Sequence, residues 1–278
     1  MNLKKIFKYL IPYFIKGIYV NFIINKGGKF FCFFYNLKSI LFYNSETKLS
    51  YLNQRYFITC KSGDKWSFSH PDRGLWYLKG PKDRGKSLQR DYGVQNIKFE
   101  PNDIIIDCGA DVGDFFAGFD VDVRYIGIEP SPINYPNLVH NVKNHLTYNV
   151  ALWKNSQEEI SFYESNLTKK KSITKVTNQT REIKVKTMTL DQIIDDANDK
   201  IKLIKLEGTG SEPEILEGLK KNIEKVEYIT VDASFERGLA KEHTINQCCN
   251  YLIQNNFEMI DFLFKKVCIL FRNKSYHN

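Results

Sequence analysis

Ile104-Ile105-Ile106-Asp107-Cys108-Gly109-Ala110-Asp111-Val112-Gly113 has the form of a buried strand running into a glycine-bearing turn. A short, continuous apolar run closed by glycine suits a strand covered on both faces. A second apolar run, Tyr125-Ile126-Gly127-Ile128, ends on the acidic residue Glu129. Strand, glycine turn, and a carboxylate at the end of the next strand make the layout of a nucleotide-type cofactor site. The glycines let the backbone approach the ligand, and the carboxylate accepts hydrogen bonds from ribose hydroxyls.

Outward from this stretch the chain alternates. Strands are expected at Ile104–Cys108, Tyr125–Glu129, Leu146–Val150, Lys202–Leu206, Tyr228–Asp232, Glu258–Phe262 and Val267–Phe271. Helices are expected at Gly113–Phe119, Ile133–Asn144, Leu190–Asp196, Glu212–Asn222 and Thr244–Gln254. Such alternation predicts an α/β fold, a doubly wound, mostly parallel, seven-stranded Rossmann-type sheet with helices on both faces. Ile160–Tyr163 and Glu182–Val185 are further β-like pieces flanking the polar loop Ser165–Thr180, with Lys169-Lys170-Lys171 inside it. Upstream, Tyr56–Cys60 and Lys65–Phe68 read as two short strands around Ser62-Gly63-Asp64. The segment from His70 to Gly85 is too dense in Gly and Pro for a long helix and reads as a binding loop. Residues 1 to about 45 read as a basic helical appendage broken at Pro12 and Gly27-Gly28. The domain reading is an N-terminal helical and small β/loop appendage over 1–95 and a cofactor-binding domain over 96–278.

With 278 residues and 42% hydrophobic content, the chain can build one sizeable α/β domain with an appendage. The six cysteines form no CxxC pair and no regular spacing, which reads as reduced thiols in a cytoplasmic protein. The net charge of +8 is unevenly spread, since no acidic residue precedes Glu46 while Lys4, Lys5, Lys8, Lys16, Lys26, Lys29 and Lys38 alternate with Ile, Phe, Tyr and Leu. Lysines interrupt every apolar run, so neither a signal peptide nor a spanning helix of about 20 apolar residues is expected. Two readings fit the segment: helices packed on the domain, or peripheral contact with the anionic inner face of a membrane. No nucleic-acid-binding motif is present, and basic charge alone marks only non-specific attraction.

The turn holds two glycines, Gly109 and Gly113, with Asp111 between them. A dinucleotide fingerprint prefers three, so that a pyrophosphate can sit on the helix N-terminus. Adenosylmethionine has no pyrophosphate. Asp107 is the candidate for its ammonium side and Glu129 for its ribose.

These blocks resemble those of FkbM-type methyltransferases. Asp-Cys-Gly-Ala-Asp-Val-Gly at 107–113 is similar to the family's Asp-x-Gly-Ala-Asn-x-Gly turn. Ile128-Glu129-Pro130-Ser131 is similar to its Phe-Glu-Pro step, and Asn149-Val150-Ala151-Leu152 to its third strand. Leu203-Ile204-Lys205-Leu206-Glu207, followed by Gly210-Ser211-Glu212-Pro213-Glu214-Ile215-Leu216, is similar to its fourth-strand block. Val231-Asp232-Ala233-Ser234-Phe235-Glu236-Arg237-Gly238 and Leu270-Phe271-Arg272-Asn273 recur in a branch of it. Thr209 stands where the family usually has Glu.

The resemblance implies a class I methyltransferase-like fold and S-adenosyl-L-methionine as cofactor. It also implies O-methyl transfer to a hydroxyl of a sugar, as a nucleotide-sugar or glycan precursor, in bacterial surface polysaccharide or capsule biosynthesis. The cofactor residues expected are Asp107, Gly109, Ala110, Asp111, Gly113, Glu129, Pro130, Ser131, Ala151 and Leu152. Ligands of such sheets bind beyond the carboxyl ends of the strands. That makes Glu207 and Asp232 the candidates for base or orienting carboxylate, with Lys205 as a catalytic or structural partner. Arg73, Trp76, Tyr77 and Arg84, with Glu236 and Arg237, are the acceptor-side candidates, the arginines for phosphate and the aromatics for stacking. Glu207, Asp232 and Glu236 are oxygen ligands of the kind hard cations take, but spacing does not make them converge, and no metal is expected. A homo-oligomer is compatible with this reading. The alternatives are a non-catalytic binding protein on the same fold, motivated by Thr209, and a nicotinamide-dependent oxidoreductase.

Overall fold

The computed structural model describes residues 21–43, 47–61, 63–156, 159–164, 171–172, 181–197 and 199–276. Pro12, the lysines at 4, 5, 8 and 16, and Lys169 and Lys170 lie outside them. The chain divides into two compact units, Met1–Arg84 and Gly85–Asn278.

In the first unit, helix α1 (Gly28–Lys38) is followed by a π-helical turn, Ser39–Tyr43. Strands β1 (Lys48–Leu52), β2 (Arg55–Thr59) and β3 (Lys65–Phe68) form an antiparallel sheet in that order. Its core is aromatic. Phe31 meets Tyr56 edge-on at 5.9 Å, Tyr56 stacks on Phe68 at 5.6 Å, and Phe68 meets Tyr77 at 5.1 Å. The segment read as a loop is instead ordered. Pro71–Tyr77 is a 3-10 helix, and helix α2 runs Pro81–Asp91. Proline in a first helical turn costs no hydrogen bond, so the breakers there punctuate two helices without preventing either.

The second unit carries β4 (Ile104–Cys108), β5 (Arg124–Ile128), β6 (Leu146–Tyr148), β7 (Ala151–Leu152), β8 (Glu159–Glu164), β9 (Lys171–Ser172), β10 (Arg181–Met188), β11 (Ile201–Leu206), β12 (Val226–Asp232), β13 (Phe257–Leu263) and β14 (Cys268–Asn273). Its helices are α3 (Tyr135–Asn141), α4 (Leu190–Ala197), α5 (Glu212–Glu217) and α6 (Ile245–Gln254). The seven-stranded sheet has the order β13-β14-β12-β11-β4-β5-β6. From β12 to β6 all neighbours are parallel, and β14 pairs antiparallel with both β12 and β13. This is the expected mostly parallel, Rossmann-type sheet. All five residues of β4 are buried, as a central strand covered on both faces requires. One core cluster packs Ile106, Ile204 and Ile229 with Leu190, Leu216 and Leu252 from the helices. The other packs Ile105 and Leu203 with Tyr92, Val94, Phe115 and Leu138. The smaller sheet, β7-β10-β8-β9, contains both extra β pieces read from the sequence.

The helix expected at Gly113–Phe119 does not form, and only a short 3-10 turn, Phe116–Gly118, stands there. Gly113 sits at φ 88, outside the helical region, and a side chain at Gly118 would come 2.6 Å from the Gly85 carbonyl carbon.

Chain order reverses between β4 and β11, where successive connections leave to opposite sides. At this point the turns after the two strands nearly touch. The Glu207 amide donates to the Cys108 carbonyl at 3.1 Å, and a Cβ on Gly109 would lie 2.2 Å from the Glu207 carbonyl oxygen. Gly109 also has φ 74. Gly109→Ala is therefore expected to destabilise the protein by about 3 kcal/mol, from overpacking and left-handed strain together. Urea unfolding of the full chain measures this, and a loss within the error of the method would show that the two turns can separate at no cost.

Candidate active site

A cleft of about 240 Å³ lies in the second unit at the carboxyl ends of β4, β5 and β11. Three turns wall it: Cys108, Gly109 and Asp111 after β4, Glu129 and Pro130 after β5, and Glu207, Gly208, Thr209 and Ser211 after β11. Val150, Ala151, Leu152, Phe162 and Ile215 add an apolar side, and Glu236 a carboxylate. The structure thus brings together Gly109, Asp111, Glu129, Pro130, Ala151, Leu152, Glu207 and Glu236 from the sequence candidates. Ala110, Gly113 and Ser131 stand behind the wall. The Gly113 amide donates to the Ala110 carbonyl at 2.8 Å, and the Ser131 hydroxyl donates to the buried Glu164 carboxylate.

Glu129 is buried at the end of β5. Its carboxylate accepts from the Asp111 and Ser131 amides, each at 2.9 Å. A carboxylate accepts about four hydrogen bonds, so these two orient the group without excluding ribose hydroxyls. Asp111, at φ 53, holds the turn in a left-handed conformation, and the Asn134 amide donates to its carboxylate. A buried carboxylate beside a wall of Phe162, Leu152 and Ile215 suits a nucleoside with a polar ribose and an apolar base edge. By donor chemistry the cleft fits adenosylmethionine.

Asp107 is not in the cleft wall. It is fully buried, and its carboxylate accepts from the Lys205 ammonium at 2.8 Å and from the Tyr125 hydroxyl at 2.5 Å. Lys205, 3% exposed, also pairs with Glu207 at 3.2 Å and donates to the Gly109 carbonyl at 3.1 Å. Beyond it lies a residue that sequence reasoning missed. Lys266, in the turn between β13 and β14, pairs with Glu207 at 3.2 Å and with Asp232 at 3.1 Å. Its ammonium stands 3.8 Å from the centroid of the buried Tyr92 ring and donates to the Tyr92 hydroxyl, while Lys205 lies 5.1 Å from the same ring. The register placing Cys268 opposite Asp232 carries the preceding turn over that carboxylate.

The two catalytic carboxylate candidates differ in their surroundings. Burial raises the proton affinity of Glu207, but the Lys266 and Lys205 ammonium groups outweigh it and hold its carboxyl well below the usual carboxylate range. Burial pushes Asp232 up; Lys266 opposes this and the Glu207 charge adds to it, leaving the group above its ordinary value. Glu207 is a third exposed and Asp232 almost closed off. Among the described residues no cluster of His, Cys, Asp or Glu forms a metal site.

The loop after β11 is fastened by Glu212, another residue the sequence reading left without a role. Its carboxylate accepts from the Gly208 amide at 3.0 Å, the Gly210 amide at 2.9 Å and the Thr244 hydroxyl at 2.9 Å. Thr209, between those glycines, is a β-branched residue at φ 50, a strained conformation of the kind found at binding turns. Arg237 makes a two-pronged pair with Glu214 at 2.9 and 2.5 Å and donates to the Gly210 carbonyl at 2.6 Å, so it braces the loop from outside.

In the first unit, Tyr77 is fully buried and has no face to offer a ligand. Trp76 is 47% exposed, and the guanidinium groups of Arg73 and Arg84 lie 4.9 and 4.7 Å from its ring centroid.

A protein-family model described as "Methyltransferase FkbM domain" matches residues 107–275, more than half of the chain. No curated protein matches it. Among solved structures, Aeropyrum pernix fibrillarin with natively bound S-adenosyl-L-methionine is similar at a TM-score of 0.40 and 10% identity, over 82% of this chain and 99% of that one. Magnesium protoporphyrin IX methyltransferase from Synechocystis PCC 6803, with the same bound molecule, is similar at a TM-score of 0.40 and 10% identity, over 73% of this chain and 82% of that one.

Burial pushes the Glu212 carboxyl from its usual 4.5 up to about 7; the nearby Asp232 charge adds to the rise, and the hydrogen bonds it accepts oppose it. Between those values the folded chain holds a proton that the unfolded chain has released. Stability from this group is therefore full at the acid end, falls as pH rises toward 7, and is level above it, a loss on the order of 3 kcal/mol. Glu212→Gln should remove that slope. Urea midpoints of both proteins across this pH range measure it, and identical profiles would overturn the assignment.

Proposed function

We propose an acceptor chemistry for this protein on one premise: the chain belongs to the FkbM methyltransferase family and uses S-adenosyl-L-methionine as its methyl donor. Membership in that family decides against the oxidoreductase alternative. The proposed reaction is O-methyl transfer to a hydroxyl of a sugar, presented as a nucleotide-sugar or glycan precursor, in the assembly of a bacterial surface polysaccharide. The observation that supports it most is Glu207 in the cleft wall, paired with Lys266, which in turn pairs with Asp232.

When bound, the cofactor supplies a methyl group already activated by its sulfonium. Glu129 and the turn at Gly109–Asp111 would hold its nucleoside, and Pro130, Ala151, Leu152 and Phe162 would give it an apolar wall. What remains for the protein is to align an acceptor oxygen, exclude water and take a proton. Alignment is worth about 7–11 kcal/mol in the best cases. Glu207 lines the cleft and stays ionised, so it accepts a hydrogen bond from the acceptor hydroxyl and aims the oxygen. Asp232 has the higher proton affinity and stands across the Lys266 ammonium from Glu207, so it is the better proton acceptor of the two. Lys205 acts through its neighbours, keeping Glu207 charged. Glu236, in the cleft wall, is placed to bind a second sugar hydroxyl, and Arg237 positions the loop beside it.

In the first unit, the guanidinium groups of Arg73 and Arg84 over the Trp76 ring form a cationic pair suited to the phosphates of an activated sugar. The ring serves to gather the arginines, while Tyr77 packs on Phe68 in the core.

Three measurements test this reading. Calorimetry with S-adenosyl-L-methionine should show binding that weakens by roughly tenfold to a hundredfold in Glu129→Ala, the loss of charge-assisted hydrogen bonds; unchanged affinity would remove Glu129 from the site. Asp232→Asn should lower kcat about 10²–10⁴-fold with cofactor affinity intact. An undiminished kcat would take Asp232 out of the chemistry. Arg84→Ala should raise the KM of a nucleotide-sugar acceptor without changing cofactor affinity, and an unchanged acceptor KM would reject the phosphate role.

A further inference from the structure

Helix α1 has two apolar faces, and the fold uses only one. Phe31, Cys32 and Tyr35 are buried against the three-stranded sheet. The helix cannot turn about its axis, because the Asn36 side chain donates to the Leu49 carbonyl at 2.9 Å and accepts from the Leu49 amide at 2.7 Å. Tyr56 adds a third tie, its hydroxyl accepting from the Gly28 amide at 2.6 Å.

The opposite face is held outward by the same bonds. Phe30, Phe33 (63% exposed) and Leu37 are exposed on the helix, Ile40 (69% exposed) and Leu41 in the turn after it, and Phe22 in the segment before it. The rings associate with one another, Phe22 with Phe30 at 6.2 Å and Phe30 with Phe34 at 4.9 Å. Contiguous exposed apolar surface of this kind marks an interaction site. Its charge says with what. Lys26 and Lys29 are exposed in the same stretch, Lys26 5.8 Å from the centroid of the Phe22 ring. The sequence before Glu46 carries seven lysines and no acidic residue.

An apolar, aromatic face flanked by the ammonium groups of Lys26 and Lys29 complements a surface that is negative outside and apolar beneath. A protein partner that met those side chains would have to supply many carboxylates around an apolar patch, whereas an anionic bilayer supplies that pattern everywhere. Among the described residues no helix is long and apolar enough to cross a membrane, so the contact would be with one face of it.

We propose that this face of α1 and the following π-helical turn binds the surface of an anionic lipid bilayer. Phe30, Phe33, Leu37 and Ile40 enter the headgroup boundary and Lys26 and Lys29 pair with lipid phosphates. The assignment rests on the first unit alone and stands whether or not the acceptor is a sugar.

The test is co-sedimentation of the full chain with vesicles of phosphatidylcholine alone and of phosphatidylcholine mixed with phosphatidylglycerol, at low and high salt. Binding to the mixed vesicles, weakened by salt and much reduced on the neutral ones, is expected. The double variant Phe33→Ser/Ile40→Ser should lose at least tenfold in vesicle partitioning while keeping its circular dichroism spectrum and its affinity for S-adenosyl-L-methionine. Lys26→Glu/Lys29→Glu should lower partitioning about fivefold or more per lysine. No binding to the anionic vesicles, or binding that survives the Phe33/Ile40 substitutions, overturns the proposal. Concentration-dependent self-association in light scattering that those same substitutions abolish would assign the face to a second copy of the chain and overturn it equally. Loss of adenosylmethionine binding with vesicle binding intact would strike at the methyltransferase reading and leave this one standing.

Discussion

The Lys205 ammonium, closed off from water between Asp107 and Glu207, ties β4 to β11 at the point where the sheet changes direction. Taking the Lys205 charge away would leave Asp107 buried without its ion-pair partner, a cost of roughly 3–5 kcal/mol. The pair also explains why Asp107 is needed although it never reaches the cleft. Its carboxylate fixes Lys205, Lys205 fixes Glu207, and Glu207 lines the cleft. Lys266 extends the chain of charges to Asp232. Three carboxylates against two ammonium groups leave one formal negative charge, the sign that suits a sulfonium cofactor.

Around that centre the cleft is built from turns, and each turn is fastened by a carboxylate accepting backbone N–H groups. Glu129 holds the turns after β4 and β5 through Asp111 and Ser131. Glu212 holds the turn after β11 through Gly208 and Gly210. Both fastened turns contain a non-glycine residue in the left-handed region, Asp111 and Thr209. Strain of this kind persists only where the surroundings over-determine it.

The first unit follows a different economy. A small antiparallel sheet and one helix bury a core made largely of rings, with Tyr56 between Phe31 and Phe68. Such a unit has one inside, and α1 is wide enough in apolar residues to have two. The surplus lies outward, in the stretch where lysine is the only charged residue type.

Much of the larger unit was legible from local pattern. Every one of the seven strands stands within a few residues of its apolar run, and the central ones were the plainest because a strand buried on both faces needs a continuous apolar stretch whatever its neighbours are. The glycine turn and Glu129 were legible for a similar reason, since both follow directly from a strand end. The helix expected at Gly113–Phe119 was not legible. Its residues are apolar enough, but Gly113 takes a left-handed conformation and Gly118 is pressed against Gly85, which no window of sequence contains. Helix α2 hid behind Pro81 and Gly85 in the same way. Lys266 and Tyr92 belong to the site only because the β12–β14 register and the packing of the segment after α2 bring them there, from positions 59 residues after and 115 before Glu207. Local sequence determined the strands, the cofactor turn and the carboxylate beside it, because hydrophobic period and turn chemistry act over a few residues. Tertiary structure alone decided which charges meet, because the partners of Lys205 and Lys266 are chosen by strand order and register across the sheet.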